Sequence, residues 1–432
     1  MGPAKDSGCP DGYGTISFDH FSPAQAQPAR RNRSSTNMTA FKHTHVGFPL
    51  PGLTRCVDTA ITRSTRIPYE GVPHEPDVFL RHNSPLKITR KYLHKYLMLK
   101  LRGQIGLELK HLDRSQRILW IYTRRNFGDA IMDMAGRALL KGMGFQIDLF
   151  TLPSLHKLFA EDDVFGNVYS ELHEVDGRNY DAILMSEFNL PSIRLKTRHF
   201  RKLPFACLFQ YFNGPDRNQT CFSYATVNDV FSLGHRADAL QSMSKPYLAS
   251  RPATVEAVRP FIPDTRYITL AVGGLDPNRT YNHWPAVLDL LDRSEDPRVI
   301  KRIVLLGSDN GQTMADTLTA RHFKSLEISS CVGKLSLLQT REIMVGAPLF
   351  VGTDGGLMHV AHTTPTSSVS LFASKEPPYL RLTEQCHSIG IQGEGNADTI
   401  APESVMDAIV EQLSTCAVIV PDTAPPSIQL SS

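Results

Sequence analysis

The chain has 432 residues, 41% of them hydrophobic, and a formal net charge of +3. That length suffices for roughly two or three ordinary domains with ample core. Charge near balance excludes a chain-wide polyanion signal, so no nucleic-acid partner is expected. The seven cysteines (Cys9, Cys56, Cys207, Cys221, Cys331, Cys386 and Cys416) stand far apart, with no C-x-x-C pair or zinc spacing. They read as reduced thiols in a cytoplasmic protein, and no metal site is expected. The N-terminal stretch lacks the apolar core of a signal peptide, and no run approaches the ~18 apolar residues of a membrane span. A soluble or peripheral protein follows, the peripheral case lying on the inner face of a membrane.

Residues 1–83 read as a disordered or irregular extension. Residues 1–45 are rich in Ser, Pro, Asn, Gly and Arg without periodicity, and 46–83 carry many Pro and Gly. Residues 84–115 form a basic segment. Its stretch 86–103, "LKITRKYLHKYLMLKLRG", spaces Leu86, Leu93, Tyr96, Leu97 and Leu101 roughly helically among basic residues, with no Asp or Glu. It reads either as a docked helix with a solvated basic face or as a helix drawn to anionic lipid. In the second case each basic residue contributes ~1 kcal/mol near the surface.

From residue 116 the pattern alternates between β and α. "RILWIYTR" is a buried strand, and "NFGDAIMDMAGRALLKGMG" is a turn and a helix starting near Ala130. "FQIDLFT" and "DAILMS" are further strands, while 190–245 is hard to parse. The alternation restarts after 255 with "YITLAVGG", "WPAVLDLLDRS", "RIVLLGS", "NGQTMADTLTA", "PLFVGT", "GGLMHVAHT" and "SSVSLF", and "APESVMDAIVEQLS" closes as a helix. The fold class is therefore α/β, with two Rossmann-like, doubly wound parallel domains over 116–255 and 256–432. Ligands of such sheets bind beyond the carboxyl ends of the strands, which places a site in the cleft between the domains.

Three loops carry candidate chemistry. "LFVGTDGGLMHVAH" delivers Asp354, Gly355 and Gly356 to a strand end just before a helix. Free N–H groups and the positive dipole end, with glycines that let a ligand approach, make a diphosphate device in general form. Asp354 either caps the helix or orients the loop or a sugar hydroxyl. His359 and His362 fall at i and i+3, and His359 is the nearer to a bound diphosphate. The second loop, "TRRNFGDAIMD", sets Asp129 at a helix start, either as an N-cap or as a general base for an acceptor hydroxyl. Arg124 and Arg125 flank it and suit an anionic acceptor or an ionised aspartate. The third, "GGLDPNRTYNHWP", pairs Gly273 and Gly274 with Arg279, the basic group best placed for a phosphate. Trp284 packs the following helix. G-x-G-x-x-G is absent, which weakens a dehydrogenase reading.

These blocks, in this order over residues 117–415, resemble glycosyltransferase family nine, the ADP-heptose:lipopolysaccharide heptosyltransferases and their relatives. "GTDGGLMHVA" is similar to the family's D-T-G-x-x-H loop. The resemblance implies a GT-B fold and an inverting, metal-independent sugar transfer, with no cofactor beyond a nucleotide-diphosphate sugar such as ADP-heptose. The acceptor would be a glycan or glycolipid, as in lipopolysaccharide biosynthesis. It implies Asp129 as the catalytic base and Gly355, Gly356 and Leu357 as backbone donors to the diphosphate, with Asp354 and His359 as fixed polar positions. Gly307 and Lys334 begin loops expected to set donor preference. The family's lysine two residues before the tryptophan is Asn282 here, and Arg279 is the basic residue able to take its place. The leading expectation is a glycosyltransferase. The alternatives are a non-catalytic nucleotide-sugar binder, which Asn282 favours, and a sugar-nucleotide epimerase on the same fold. An anionic membrane surface is a further partner expected for 86–103.

Overall fold

The computed structural model describes residues 51–419. Three helices come first: α1 (Pro51–Thr65), α2 (Pro76–His82) and α3 (Pro85–Leu101). The expectation that 46–83 lacks regular structure is corrected by α1 and α2. Proline opens α2 and α3 from the first turn, where its missing N–H has no intrahelical partner to lose. Helix α1 buries Val57, Ala60 and Ser64, one face at helical spacing, and packs on α3. The expected disorder of residues 1–45 falls outside the described residues. Helix α3 starts where Ser84 accepts a hydrogen bond from the Lys87 N–H.

The first sheet is wholly parallel, with strands β1 (Arg117–Ile121), β2 (Gln146–Phe150), β3 (Val168–Tyr169), β4 (Ala182–Met185) and β5 (Phe205–Cys207) in the order β3-β2-β1-β4-β5. Its helices are α4 (Phe127–Asp133), α5 (Pro153–Phe159), α6 (Leu190–His199), α7 (Gln219–Val230) and α8 (Ala237–Met243). The stretch 190–245, opaque in sequence, is thus α6, β5, α7 and α8. Helix α4 begins three residues before the expected Ala130. Helix α9 (Pro252–Val258) contains the expected domain split and packs on a helix of the second sheet, α12 below.

The second sheet is also parallel, with β6 (Ile268–Ala271), β7 (Arg302–Leu306), β8 (Glu327–Ser330), β9 (Leu349–Thr353), β10 (Ser367–Phe372) and β11 (Ser388–Gln392) in the order β11-β10-β9-β6-β7-β8. Its helices are α10 (Trp284–Arg293), α11 (Gln312–Ala320), α12 (Leu337–Val345), α13 (Gly356–Ala361) and α14 (Pro402–Ile419). Trp284 is buried at the start of α10 and stacks edge-on to Tyr281.

Strands β1, β4, β9 and β10 are almost entirely buried, as parallel strands covered on both faces must be. The order of each sheet reverses once, between β1 and β4 in the first and between β6 and β9 in the second. These reversals are the switch points at which doubly wound sheets open a crevice. One apolar cluster runs from Ile118 and Ala130 through Phe222 and Val258 to Phe350 and Met358, so the two sheets share a continuous core. No described helix is long and apolar enough to cross a membrane.

Candidate active site

Asp129 and Asp354 each follow a strand at a switch point, β1 and β9. The helices that start there, α4 and α13, abut. A Cβ on Gly356 would lie 1.9 Å from the Phe127 ring, and one on Gly128 would lie 2.8 Å from the His359 ring. Glycine at both positions is what allows the two helix starts to approach. Two positive dipole ends therefore meet at one edge, which favours an anion there.

Asp129 lies in the first turn of α4, half-buried, and accepts from Asn126 Nδ2 at 3.3 Å. The N-cap is Asn126, so the capping role considered for Asp129 does not hold. Nor does Asp354 cap α13: the N-cap is Gly355, and no side chain caps that helix. The Asp354 side chain is wholly buried, and neither carboxylate oxygen has a hydrogen-bond partner. Around it stand Arg279 Nη1 at 3.7 Å, Arg381 Nε at 3.9 Å and His359 Nε2 at 3.7 Å. Burial lifts its carboxyl to about 6 against the pull of Arg381 and Arg279. Burial, then Arg381, His362 and Arg279, hold the His359 imidazole well below its usual value. His359 is thus neutral at neutral pH and offers a diphosphate no charge.

Both arginines also grip Glu376, in the loop after β10. Arg279 Nη2 donates to Oε1, and Arg381 Nη2 donates to Oε2 at 3.2 Å. Burial pushes the Glu376 carboxyl up, but Asp354, Arg279 and Arg381 outweigh it and leave it below the usual value. From there a polar chain crosses to the first sheet. Arg381 Nη1 donates to Gln219 Oε1 at 3.0 Å, and Gln219 Nε2 donates to Asp133 Oδ1 at 2.6 Å. Asp133 is buried and also accepts from the Tyr122 hydroxyl at 3.0 Å, with Arg124 Nη1 at 3.4 Å. Burial raises its carboxyl to about 6. Arg124 closes the first switch point with a two-pronged bond to Glu187, at 2.9 and 3.0 Å.

The structure thus gathers Arg124, Asp129, Arg279, Asp354, Gly355, Gly356 and His359 along one edge. Arg125 is exposed beside them, and Leu357 is half-buried against the core. Gly273, at φ +89°, and Gly274 shape the loop from which Arg279 reaches Asp354; a Cβ on Gly273 would lie 2.7 Å from Gly311. A Cβ on Gly307 would meet the Val272 carbonyl at 2.7 Å. Two candidates turn elsewhere. Asn282 is tied to Asp398, by its N–H at 2.6 Å and Nδ2 at 3.1 Å, and Lys334 donates to the Ser330 carbonyl at 2.7 Å.

Sequence reasoning missed Asp133, Glu187, Gln219, Glu376 and Arg381. Asp133 alone had a local signal, since it lies four residues after Asp129 on the same helix face. Among the described residues, no group of three or more His, Cys, Asp or Glu side chains could hold a metal ion.

Two parallel sheets, each with one switch point, have the two-domain architecture of the GT-B fold. Residues 210–409 match the model of glycosyltransferase family 9 (heptosyltransferase). A family 9 glycosyltransferase from Veillonella parvula DSM 2008 superposes with a TM-score of 0.58 at 15% identity, over 71% of this chain and 99% of that one. The ADP-heptose LPS heptosyltransferase II of E. coli does so with a TM-score of 0.53 at 17% identity, over 69% and 99%. At such identity the likeness is one of fold. Among curated proteins, none matches the chain.

Proposed function

We propose that the chain is an inverting glycosyltransferase that moves a sugar, heptose in our reading, from a nucleoside-diphosphate donor to a hydroxyl of a glycan or glycolipid. The observation that carries this is the meeting of α4 and α13, which brings Asp129 to the edge formed by Asp354, Gly355 and Gly356. In this reading 116–255 holds the acceptor and 256–432 the donor. Asp129 takes the acceptor proton as its oxygen displaces the diphosphate at the anomeric carbon. Charge on the leaving diphosphate is stabilised by the first-turn N–H groups of α13 at Gly356 and Leu357 and by Arg279, with no metal required. Arg279 takes the part of the absent lysine, and its contact with Asp354 supports that assignment. The ADP-heptose donor is taken from the E. coli fold relative, an ADP-heptose LPS heptosyltransferase II. In this reading Arg124 and Arg125 serve the acceptor, and lipopolysaccharide biosynthesis is the matching biological setting.

The exposed face of α3 supports a peripheral membrane role at the inner surface, because it mixes Leu86, Leu97 and Leu101 with Lys87, Arg90 and Lys91. The Asn282–Asp398 pair favours a second reading, a binder of nucleotide sugars without turnover.

Calorimetric titration with ADP, UDP, GDP and CMP, joined to ADP release from ADP-heptose with a membrane glycolipid extract as acceptor, tests both. One diphosphate is expected to bind, and Asp129→Asn is expected to keep that binding while turnover falls about 10²–10⁴-fold. Normal turnover in Asp129→Asn would remove the base mechanism. Binding without turnover in the unaltered protein would favour the binder.

A further inference from the structure

The Arg279–Glu376–Arg381 cluster is assembled from loops. Glu376 lies in the loop between β10 and β11, on no strand or helix, and is held by the two guanidinium groups. Its side chain is 24% exposed, and those of Arg279 and Arg381 are 30% and 18% exposed, so the top of the cluster opens to solvent while Asp354 closes its floor at 0%. Paired guanidinium groups converging on one anion are the geometry by which proteins hold phosphate as well as carboxylate. Arg381 Nε, an N–H donor, and His359 Nδ1 are buried and have no hydrogen-bond partner among the described residues, and either suits a phosphate oxygen; the two Asp354 oxygens, also unpartnered, are acceptors and do not. A buried N–H donor without a partner calls for an acceptor. Charge decides what gives way. Two guanidinium groups already face three carboxylates, those of Asp354, Glu376 and Asp276, so a diphosphate entering beside them would add to an existing excess of anions.

We propose that Glu376 is a built-in stand-in for the donor's diphosphate. Arg279 and Arg381 form a two-pronged anion site, Glu376 occupies it in the empty protein, and a nucleoside diphosphate displaces the Glu376 carboxylate. Arg381 thereby becomes a donor-binding residue. This inference rests on the reading that the second sheet holds a nucleoside-diphosphate donor.

The test is calorimetric titration of the full chain with ADP, comparing the unaltered protein with Glu376→Gln, Arg381→Ala and Arg279→Ala. Melting curves establish that each variant is folded. Glu376→Gln removes the competitor while keeping its volume, and is expected to bind ADP about tenfold tighter, as loss of one charge-assisted competitor implies. Arg381→Ala is expected to bind about tenfold more weakly or worse. If the unaltered protein binds ADP while Glu376→Gln binds equally or less tightly, Glu376 organises the arginines rather than standing in for the ligand, and the inference falls while the donor reading stands. If the unaltered protein and Glu376→Gln both fail to bind ADP, UDP, GDP and CMP, the donor reading falls and takes the inference with it.

Discussion

Asp354 shows why single residues of this site are under electrostatic strain. Its carboxylate is buried, lacks hydrogen bonds and is near cations without touching one. Burial lifts its folded pKa to about 6, above the usual carboxylate value near 3.9. Between those two values the folded chain keeps a proton that the unfolded chain has released. Stability therefore falls as pH rises across that window, and levels off above about 6. Asp133 adds a slope of the same sign. Asp354→Asn removes one contribution, so it is expected to melt above the unaltered protein at pH 8 and to lose that advantage by pH 4. Scanning calorimetry at both pH values checks this, and a difference independent of pH would mean that Asp354 is not the buried anion described here. At this scale the sequence was half legible. Asp354, Gly355, Gly356 and His359 stand out because a strand end, two glycines and a helix start fall within a few residues. Arg381 and Gln219 are 162 positions apart, and Arg279 and Glu376 are 97 apart, so no local pattern joins them.

Elements were legible where periodicity was strong and illegible where proline and glycine disguised it. The buried strands β1, β6, β7 and β9 and the helices α10 and α14 follow from their hydrophobic runs. Strands β3 and β8 are only two and four residues long and half-buried or exposed, too little pattern to read. Helices α1 and α2 were hidden by prolines that in fact open or precede helices. Helix α3 was visible, but its basic residues are not equivalent. Lys95 turns inward and donates to the Phe212 carbonyl at 3.2 Å, and burial lowers its pKa. Lys87, Arg90 and Lys91 stay exposed. If α3 lies on anionic lipid, neutralising these three to Gln should weaken co-sedimentation with phosphatidylglycerol-rich vesicles on the order of a hundredfold, at ~1 kcal/mol each. The effect should shrink with added salt as the charges are screened. Sedimentation that is absent from the start, or untouched by the substitutions, would leave α3 as a docked helix with a solvated face.

The arrangement of the whole molecule was readable as two parallel sheets but not as a joined machine. The order of strands at each switch point, the continuous core and the bridge between the sheets depend on which segments meet, and the sequence does not state that. Gln219 is the keystone of the bridge. It lies at the start of α7 beside the first sheet, donates to the buried Asp133 and accepts from Arg381 of the second sheet. Its loss should act on both sides. Asp133 would lose a donor in a buried setting, a change worth about 1–3 kcal/mol, and Arg381 would lose its tie across the interface. Gln219→Ala is therefore expected to lower the melting temperature by a few degrees. It should also speed amide hydrogen exchange in 127–133 and 356–361 together, because those helix starts are pressed against each other. ADP should restore protection to 356–361 more than to 127–133 if the second sheet carries the donor site. Unchanged exchange in both segments would mean that the shared apolar core alone fixes the sheets, and that the polar bridge serves only the chemistry at their edge.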